Sequence, residues 1–217
     1  MTVGLALFDL DRTLIDCNSG RLWMMHEWRH GRIGARDVAW GAYWLARYSL
    51  GSDHGLQEAI EAAARTVTGT AEPELDARVR GWFDAEIRHR LRPGAPAAVE
   101  VHRARGDRVV IATSGTTYAA RAAAEAWGFD DVVATRLEVR DGRMTGGVAE
   151  SCVGSAKASA VEAWAAAAGH DLGTATFYTD SATDLELMVR VGAPVAVHPD
   201  RALQRIAAER GWPIARW

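Results

Sequence analysis

Two pairs of aspartates are spaced so that they could act together. Asp9 and Asp11 stand two apart, just after the apolar run Val3 to Phe8, and Asp180 and Asp184 stand four apart, just after Ala175 to Tyr178. One carboxylate after a strand is ordinarily a turn residue or a helix N-cap. Four acids brought to one sheet edge would repel each other, and some would be neutral at pH 7. A divalent cation removes that penalty. A few hard oxygen ligands, with room left for water and phosphate oxygens, suit Mg²⁺. The acids therefore imply the metal if the fold gathers them. Thr113-Ser114-Gly115-Thr116 is a hydroxyl-rich turn that leads into a helix. A helix N-terminus offers free N–H groups to a phosphate. Thr116 reads as the N-cap, while Thr113 gains meaning only from its partners. Lys157, in Gly154-Ser155-Ala156-Lys157, falls in the first helical turn if Ser155 is the N-cap. A cation there opposes the helix dipole. Alone it reads as a surface lysine, but a broken local rule without evident gain points to function.

These residues need elements to hold them. Val3–Phe8, Val109–Ala112, Ala175–Tyr178 and Pro194–Val197 are short, continuous apolar runs of the kind buried on both faces of a parallel sheet. Helical patterns lie between them, over Ala95–Arg105, Thr117–Trp127, Ser155–Ala168, Thr183–Val191 and Arg201–Arg210. Gly106, Gly128, Gly169, Gly192 and Gly211 each follow one of these, where a left-handed C-cap is wanted. The alternation predicts an α/β fold with a doubly wound, mostly parallel sheet. Val132–Arg140, Asp141-Gly142 and Arg143–Ala149 read as a hairpin excursion. Residues 17–90 carry Trp, Ala, Arg and Glu at helical spacing and no convincing strand. They read as an all-helical insertion after the first strand. Leu91-Arg92-Pro93-Gly94 marks re-entry, giving a core of residues 1–16 and 91–217 and an inserted unit of 17–90.

The bulk properties exclude several function classes. The 217 residues carry a net charge of −3, a poor match for non-specific binding to nucleic acid or anionic lipid. No apolar run approaches the roughly 20 residues of a membrane span, and Met1–Leu10 has no basic leader region. Cys17 and Cys152 read as reduced thiols of a cytoplasmic protein, with no spacing for a metal or redox pair.

Asp9-Leu10-Asp11-Arg12-Thr13-Leu14, Thr113, Lys157 and Asp180-Ser181-Ala182-Thr183-Asp184 together resemble the four motifs of the haloacid dehalogenase superfamily, in order. Their spacing resembles its phosphoserine-phosphatase-like branch, and the likeness covers residues 3–16 and 91–200. The resemblance implies a Rossmann-like core with a helical cap, acting as a phosphatase on a small-molecule phosphomonoester, as a monomer or homodimer. It implies Asp9 as the nucleophile that becomes phosphorylated, and Asp11 as general acid and then base. Mg²⁺ would be held by the Asp9 carboxylate, the Asp11 carbonyl and Asp180, with Asp184 nearby or acting through water. Thr113, the Ser114 N–H and Lys157 would hold the phosphoryl oxygens, and Thr13 would support the loop.

Departures from the family pattern concern the substrate. Arg12 stands where a small residue is usual, Thr179 where glycine is commoner, and Asn18 about where a phosphoserine phosphatase has a glutamate for the substrate ammonium. Thr113-Ser114-Gly115 replaces Ser-Gly-Gly. The stripe Trp23, Met24, Met25 and Trp28 reads mainly as the insertion's own core, with one or two members lining a pocket for an apolar or ring-bearing leaving group. Arg21, Arg47 and Arg65 could meet a second anion but read as solvated. His26, His30, His54 and His89 read as surface or core histidines, with no acidic third ligand evident. A phosphomutase-like phosphotransferase would keep the same aspartyl-phosphate. A catalytically silent binding protein would be expected to have lost one of Asp9, Asp11, Lys157 or Asp180.

Overall fold

A computed structural model describes residues 4–49 and 53–217, without side-chain detail at 42, 44–49, 53 and 54, so the expectations for the side chains of Arg47 and His54 lie outside the described residues. The chain opens with β1 (Leu5–Phe8), every residue of it buried. Then come four helices: α1 (Ser19–Arg29), α2 (Ala35–Ser49), α3 (Asp53–Thr66) and α4 (Glu72–Trp82). The rest is α5 (Ala95–Ala104), β2 (Arg108–Thr116), α6 (Thr117–Trp127), β3 (Asp131–Arg140), β4 (Arg143–Glu150), α7 (Ser155–Ala167), β5 (Thr176–Thr179), α8 (Leu185–Met188), β6 (Ala193–Val197), α9 (Arg201–Arg210) and β7 (Ile214–Ala215).

Among the described residues one sheet runs β4-β3-β2-β1-β5-β6-β7. All its pairs are parallel except β3 with β4. The register sets Ala6 beside Val109 on one side and beside Thr176 on the other, so the three central strands end together. The strand order reverses direction around β1, and the carboxyl ends on either side of such a switch point form a crevice. The α/β, mostly parallel architecture is the expected one, with one strand more: Ile214–Ala215 is too short to show in the apolar pattern.

Both faces of the sheet are covered. Leu7, Val110, Ala158, Val161, Phe177 and Leu203 form one core, and Phe8, Ile111, Val99, Ala123, Phe83 and Ile87 belong to the other. The second core also takes in Ala64, Val67, Leu75, Val79 and Trp82, so α3 and α4 bury their apolar faces against the sheet's own helices. The hairpin strengthens that link. Gly69 N–H donates to the Met144 carbonyl, Met144 N–H to Thr70, and Glu72 N–H to Gly142, at 2.8–2.9 Å.

Local chemistry accounts for most of the element ends. Asp141 and Gly142 both have positive φ (52° and 71°), the backbone a tight hairpin turn requires. Gly106, Gly128, Gly169 and Gly211 adopt the expected left-handed form. Gly192 does not. A Cβ on it would lie 2.0 Å from the Gly173 carbonyl oxygen, so close backbone approach is what demands glycine there. Thr116 is the N-cap residue of α6, as expected, although its side chain makes no capping bond. Two other expectations are corrected. The N-cap of α7 is Gly154 rather than Ser155. The helix expected over Thr183–Val191 shortens to Leu185–Met188, because Ser181 caps a tight turn at Ala182–Asp184 first.

Candidate active site

The turn after β1 is unusual. Leu10–Leu14 forms a wide turn closed by Leu14 N–H to the Asp9 carbonyl and Ile15 N–H to the Leu10 carbonyl, with Arg12 in the left-handed region (φ 60°), a conformation that costs a non-glycine residue about 1–2 kcal/mol. Leu10, Thr13, Leu14 and Ile15 are buried around it, and Arg92 Nε donates to the Arg12 carbonyl at 3.1 Å. Packing thus fixes the turn despite its strain. Asp9 opens it at the strand end, its N–H bound to the Tyr178 carbonyl of β5 at 2.9 Å.

Lys157 lies at the centre of the site. Contrary to the surface reading, it is 1% exposed. Its Nζ donates to Asp9 Oδ1 at 2.9 Å and sits 2.9 Å from both Oδ1 and Oδ2 of Asp184. Thr179 Oγ1 donates to Asp184 Oδ2 at 2.6 Å. Asp184 is therefore engaged by protein on both oxygens, and its clearest visible job is to hold Lys157. Burial disfavours the ammonium, but Asp184 and Asp9 outweigh it and hold Lys157 protonated.

The acids are pushed the other way. Burial raises Asp9 to about 7, with Asp184 and Asp11 adding repulsion and Lys157 opposing. Burial also raises Asp11, although the Ser19 N–H, which donates to its Oδ1 at 2.9 Å, pulls it back. Asp180 is raised well above the usual range by burial and by repulsion from Asp9 and Asp184, with Arg12 opposing. Thr13 Oγ1 lies 3.5 Å from Asp180 Oδ1. Thr113 is buried, with its hydroxyl accepting from Gly115 N–H at 3.1 Å, and Thr135 Oγ1 holds the Ser114 carbonyl at 2.9 Å. All seven expected site residues border one cavity of about 410 Å³.

Among the described residues no three His, Cys, Asp or Glu side chains are spaced to hold an ion by themselves. The donor set still fits a hard cation. Asp9 has one oxygen not bonded to Lys157, Asp180 is a buried neighbour that repels it, and the Asp11 carbonyl belongs to the turn that Asp9 opens. Two carboxylates and a carbonyl leave places for water and phosphate oxygens.

Some supporting residues escaped the sequence reading. Asp200 accepts from Ala182 N–H at 3.1 Å and caps α9 through Leu203 N–H, while its own N–H donates to the Asp180 carbonyl at 2.8 Å. It ties the Asp180 turn to the next strand end, and its place before a helical run was the available signal. Glu27, 2% exposed, also borders the cavity. Asn18 caps α1, its Oδ1 accepting from Arg21 N–H at 2.8 Å. His26 does meet an acid, Glu86 Oε1 at 2.8 Å, in a surface pair with Arg29 rather than a metal cluster. Of the aromatic stripe, Trp23 and Met24 border the cavity while Trp28 is 47% exposed and outside any core. Cys17 is half-buried and Cys152 buried, both free thiols pushed up to about 12 by burial. No helix among the described residues is long and apolar enough to cross a membrane.

Comparison with known proteins is consistent with this geometry. The family model for haloacid dehalogenase-like hydrolases matches residues 6–189. A protein of Streptomyces azureus named for inhibition of morphological differentiation is 36% identical over 96% of this chain and 76% of its own length. A histidinol-phosphatase of Neisseria meningitidis is 30% identical over 97% of both chains. The crystal structure of a Bordetella pertussis protein of unknown function superposes with a TM-score of 0.86 at 30% identity, covering 99% of this chain and 98% of that one.

Proposed function

The chain belongs to the haloacid dehalogenase-like hydrolases, in their phosphoserine-phosphatase-like branch, and we propose that it is a Mg²⁺-dependent phosphatase that hydrolyses a small organic phosphomonoester through phosphorylation of Asp9. The observation that carries this reading is Lys157, buried and bonded to both Asp9 and Asp184 beneath the cavity that Asp11, Thr113, Ser114 and Asp180 also border.

In this reading Asp9 attacks phosphorus in line and displaces the alcohol oxygen. Its carboxyl must be ionised to attack. The lysine beside it favours that form, and Mg²⁺, when bound by Asp9, Asp180 and the Asp11 carbonyl, supplies the rest of the charge compensation. Asp11 keeps its proton more readily than an exposed aspartate and donates it to the departing oxygen. As the base thus formed, it then takes a proton from the water that attacks the phosphorylated Asp9. Thr113 Oγ1, Ser114 N–H and Lys157 stabilise the charge that spreads over the phosphoryl oxygens. Asp184 and Thr179 act as positioning residues for Lys157. Residues 17–90 serve as a cap over this end of the core. The free, unactivated thiols agree with work in the cytoplasm.

The test is phosphate release from a panel of phosphomonoesters with Mg²⁺. EDTA should abolish it, and Asp9→Asn should bring it to background. Release that survives Asp9→Asn would overturn the reading.

A further inference from the structure

We propose that the alcohol released by this enzyme is bulky, mostly apolar and ring-bearing, of the aryl- or heteroaryl-alkyl class, and that a chamber between the inserted helices and the sheet edge holds its ring. The proposal rests on the phosphatase reading above and concerns only the far half of the same cavity.

Three observations carry it. First, the cavity continues well past the phosphate end. Beyond Asp9, Thr113 and Lys157 its walls are Trp23, Met24, Ile60, Leu75, Val79 and Trp82. Its roughly 410 Å³ falls in the range, roughly 300–1,000 Å³, of pockets that enclose whole organic ligands. Second, two of these walls form an aromatic corner. The Trp23 ring meets Trp82 edge-on, with centroids 5.2 Å apart and planes at 72°. Flat apolar walls of this kind favour another ring.

Third, the charged groups beside the aromatic corner are paired with one another. Glu27, the buried carboxylate at the chamber's edge, accepts from Arg32 at Oε1 (3.0 Å) and pairs with Arg78 at Oε2 (3.4 Å). The Arg78 guanidinium in turn lies over Trp23, 5.8 Å from the ring centroid. Asn18 spends its side-chain oxygen on capping α1. An ammonium or carboxylate entering this half would give up its hydration without a free partner of opposite charge on these residues, which disfavours it. A ring gives up only unfavourable contact with water.

The experiment measures kcat/KM with Mg²⁺ for 2-phenylethyl phosphate, O-phosphoethanolamine and O-phosphoserine. The expected result is about tenfold or greater preference for the phenylethyl ester, the scale of burying one ring's apolar surface. Ala59→Phe, which fills the chamber from α3, should reduce that preference about fivefold or more while circular dichroism stays native. A measurement on the unaltered protein stands beside it. 2-Phenylethylphosphonate should inhibit competitively, with an inhibition constant at least about tenfold lower than that of ethylphosphonate. Equal or better turnover of phosphoserine, or equal inhibition by the two phosphonates, would overturn this inference and leave the phosphatase reading standing. Failure to release phosphate from any ester would remove both.

Discussion

The strand ends and the inserted helices face each other across one cavity, yet they are built on opposite principles. At the strand ends the working groups are polar, and most of them are buried and bonded. Asp9, Thr113, Lys157, Asp180 and Asp184 are each under 9% exposed, fixed by the parallel register of β2, β1 and β5. Across the gap the helices offer apolar side chains, leave Trp28 and Trp40 about half exposed, and hold to the core chiefly through α4 and the β3–β4 hairpin. A polar cluster in a low-dielectric site has to be rigid, because each unpaired group is costly there. An apolar wall needs only shape. In the proposed mechanism the chemistry belongs to the sheet edge and the choice of leaving group to the helices, so changes on the two sides should separate into kcat effects and selectivity effects.

The sharpest separation should come from Asp11→Asn. Loss of a positioned acid costs about 10²–10⁴-fold, so kcat should fall by that order while KM stays nearly constant. A fall confined to KM would place Asp11 on the binding side. Lys157→Met comes next. It should lower kcat about 10²–10³-fold and leave Asp9 and Asp184 buried without their cation, costing about 3–5 kcal/mol in urea unfolding. Loss of activity with unchanged stability would show that the ion pairs are weaker than the geometry implies.

A third contrast is in pH. Asp9 keeps its proton to about 7 in the folded, metal-free chain and loses it near 3.8 when unfolded. Between those values the folded state holds the extra proton, so this group's contribution to stability falls as pH rises. In EDTA, the wild type should lose stability between pH 4 and 7 more steeply than Asp9→Asn. Mg²⁺ should raise the melting temperature more at pH 8 than at pH 5, since its ligand must first be deprotonated. Parallel pH curves for the two proteins would contradict this. The smallest effect should be Gly146→Ala, on the hairpin. Its φ is 87°, and a Cβ would lie 2.2 Å from Thr68 Oγ1. A loss of about 1 kcal/mol is expected, read as a lower unfolding midpoint; full native stability would mean that the helix–hairpin contact adjusts freely.

The same contrast governs what could be read from residues alone. The sheet was legible because buried parallel strands leave unbroken apolar runs, and three of the four runs end close to a proposed site residue. Thr113 and Asp180 could be placed that way. Lys157 could be suspected only from a broken helix rule, because its burial depends on Asp9 and Asp184, 148 and 27 residues away. Asp200 was hidden because its task, bracing the Asp180 turn, joins it to residues about 20 positions earlier, through its carboxylate to Ala182 N–H and its own N–H to the Asp180 carbonyl. In the helices, spacing gave their existence but not which side of Trp23 or Trp28 would be covered. That follows from α4 and the hairpin, not from α1 itself.

The central claim is that Asp9 receives the phosphoryl group, and the direct measurement is its capture. The enzyme is mixed with Mg²⁺ and a turned-over phosphomonoester, quenched in acid within the first turnover, and digested for mass spectrometry. The peptide carrying Asp9 should gain the mass of one phosphoryl group, should lose it on hydroxylamine treatment, and should show no gain in Asp9→Asn. A phosphoryl group found on another residue, or an active enzyme whose Asp9 peptide never gains mass under a rapid quench, would contradict the account.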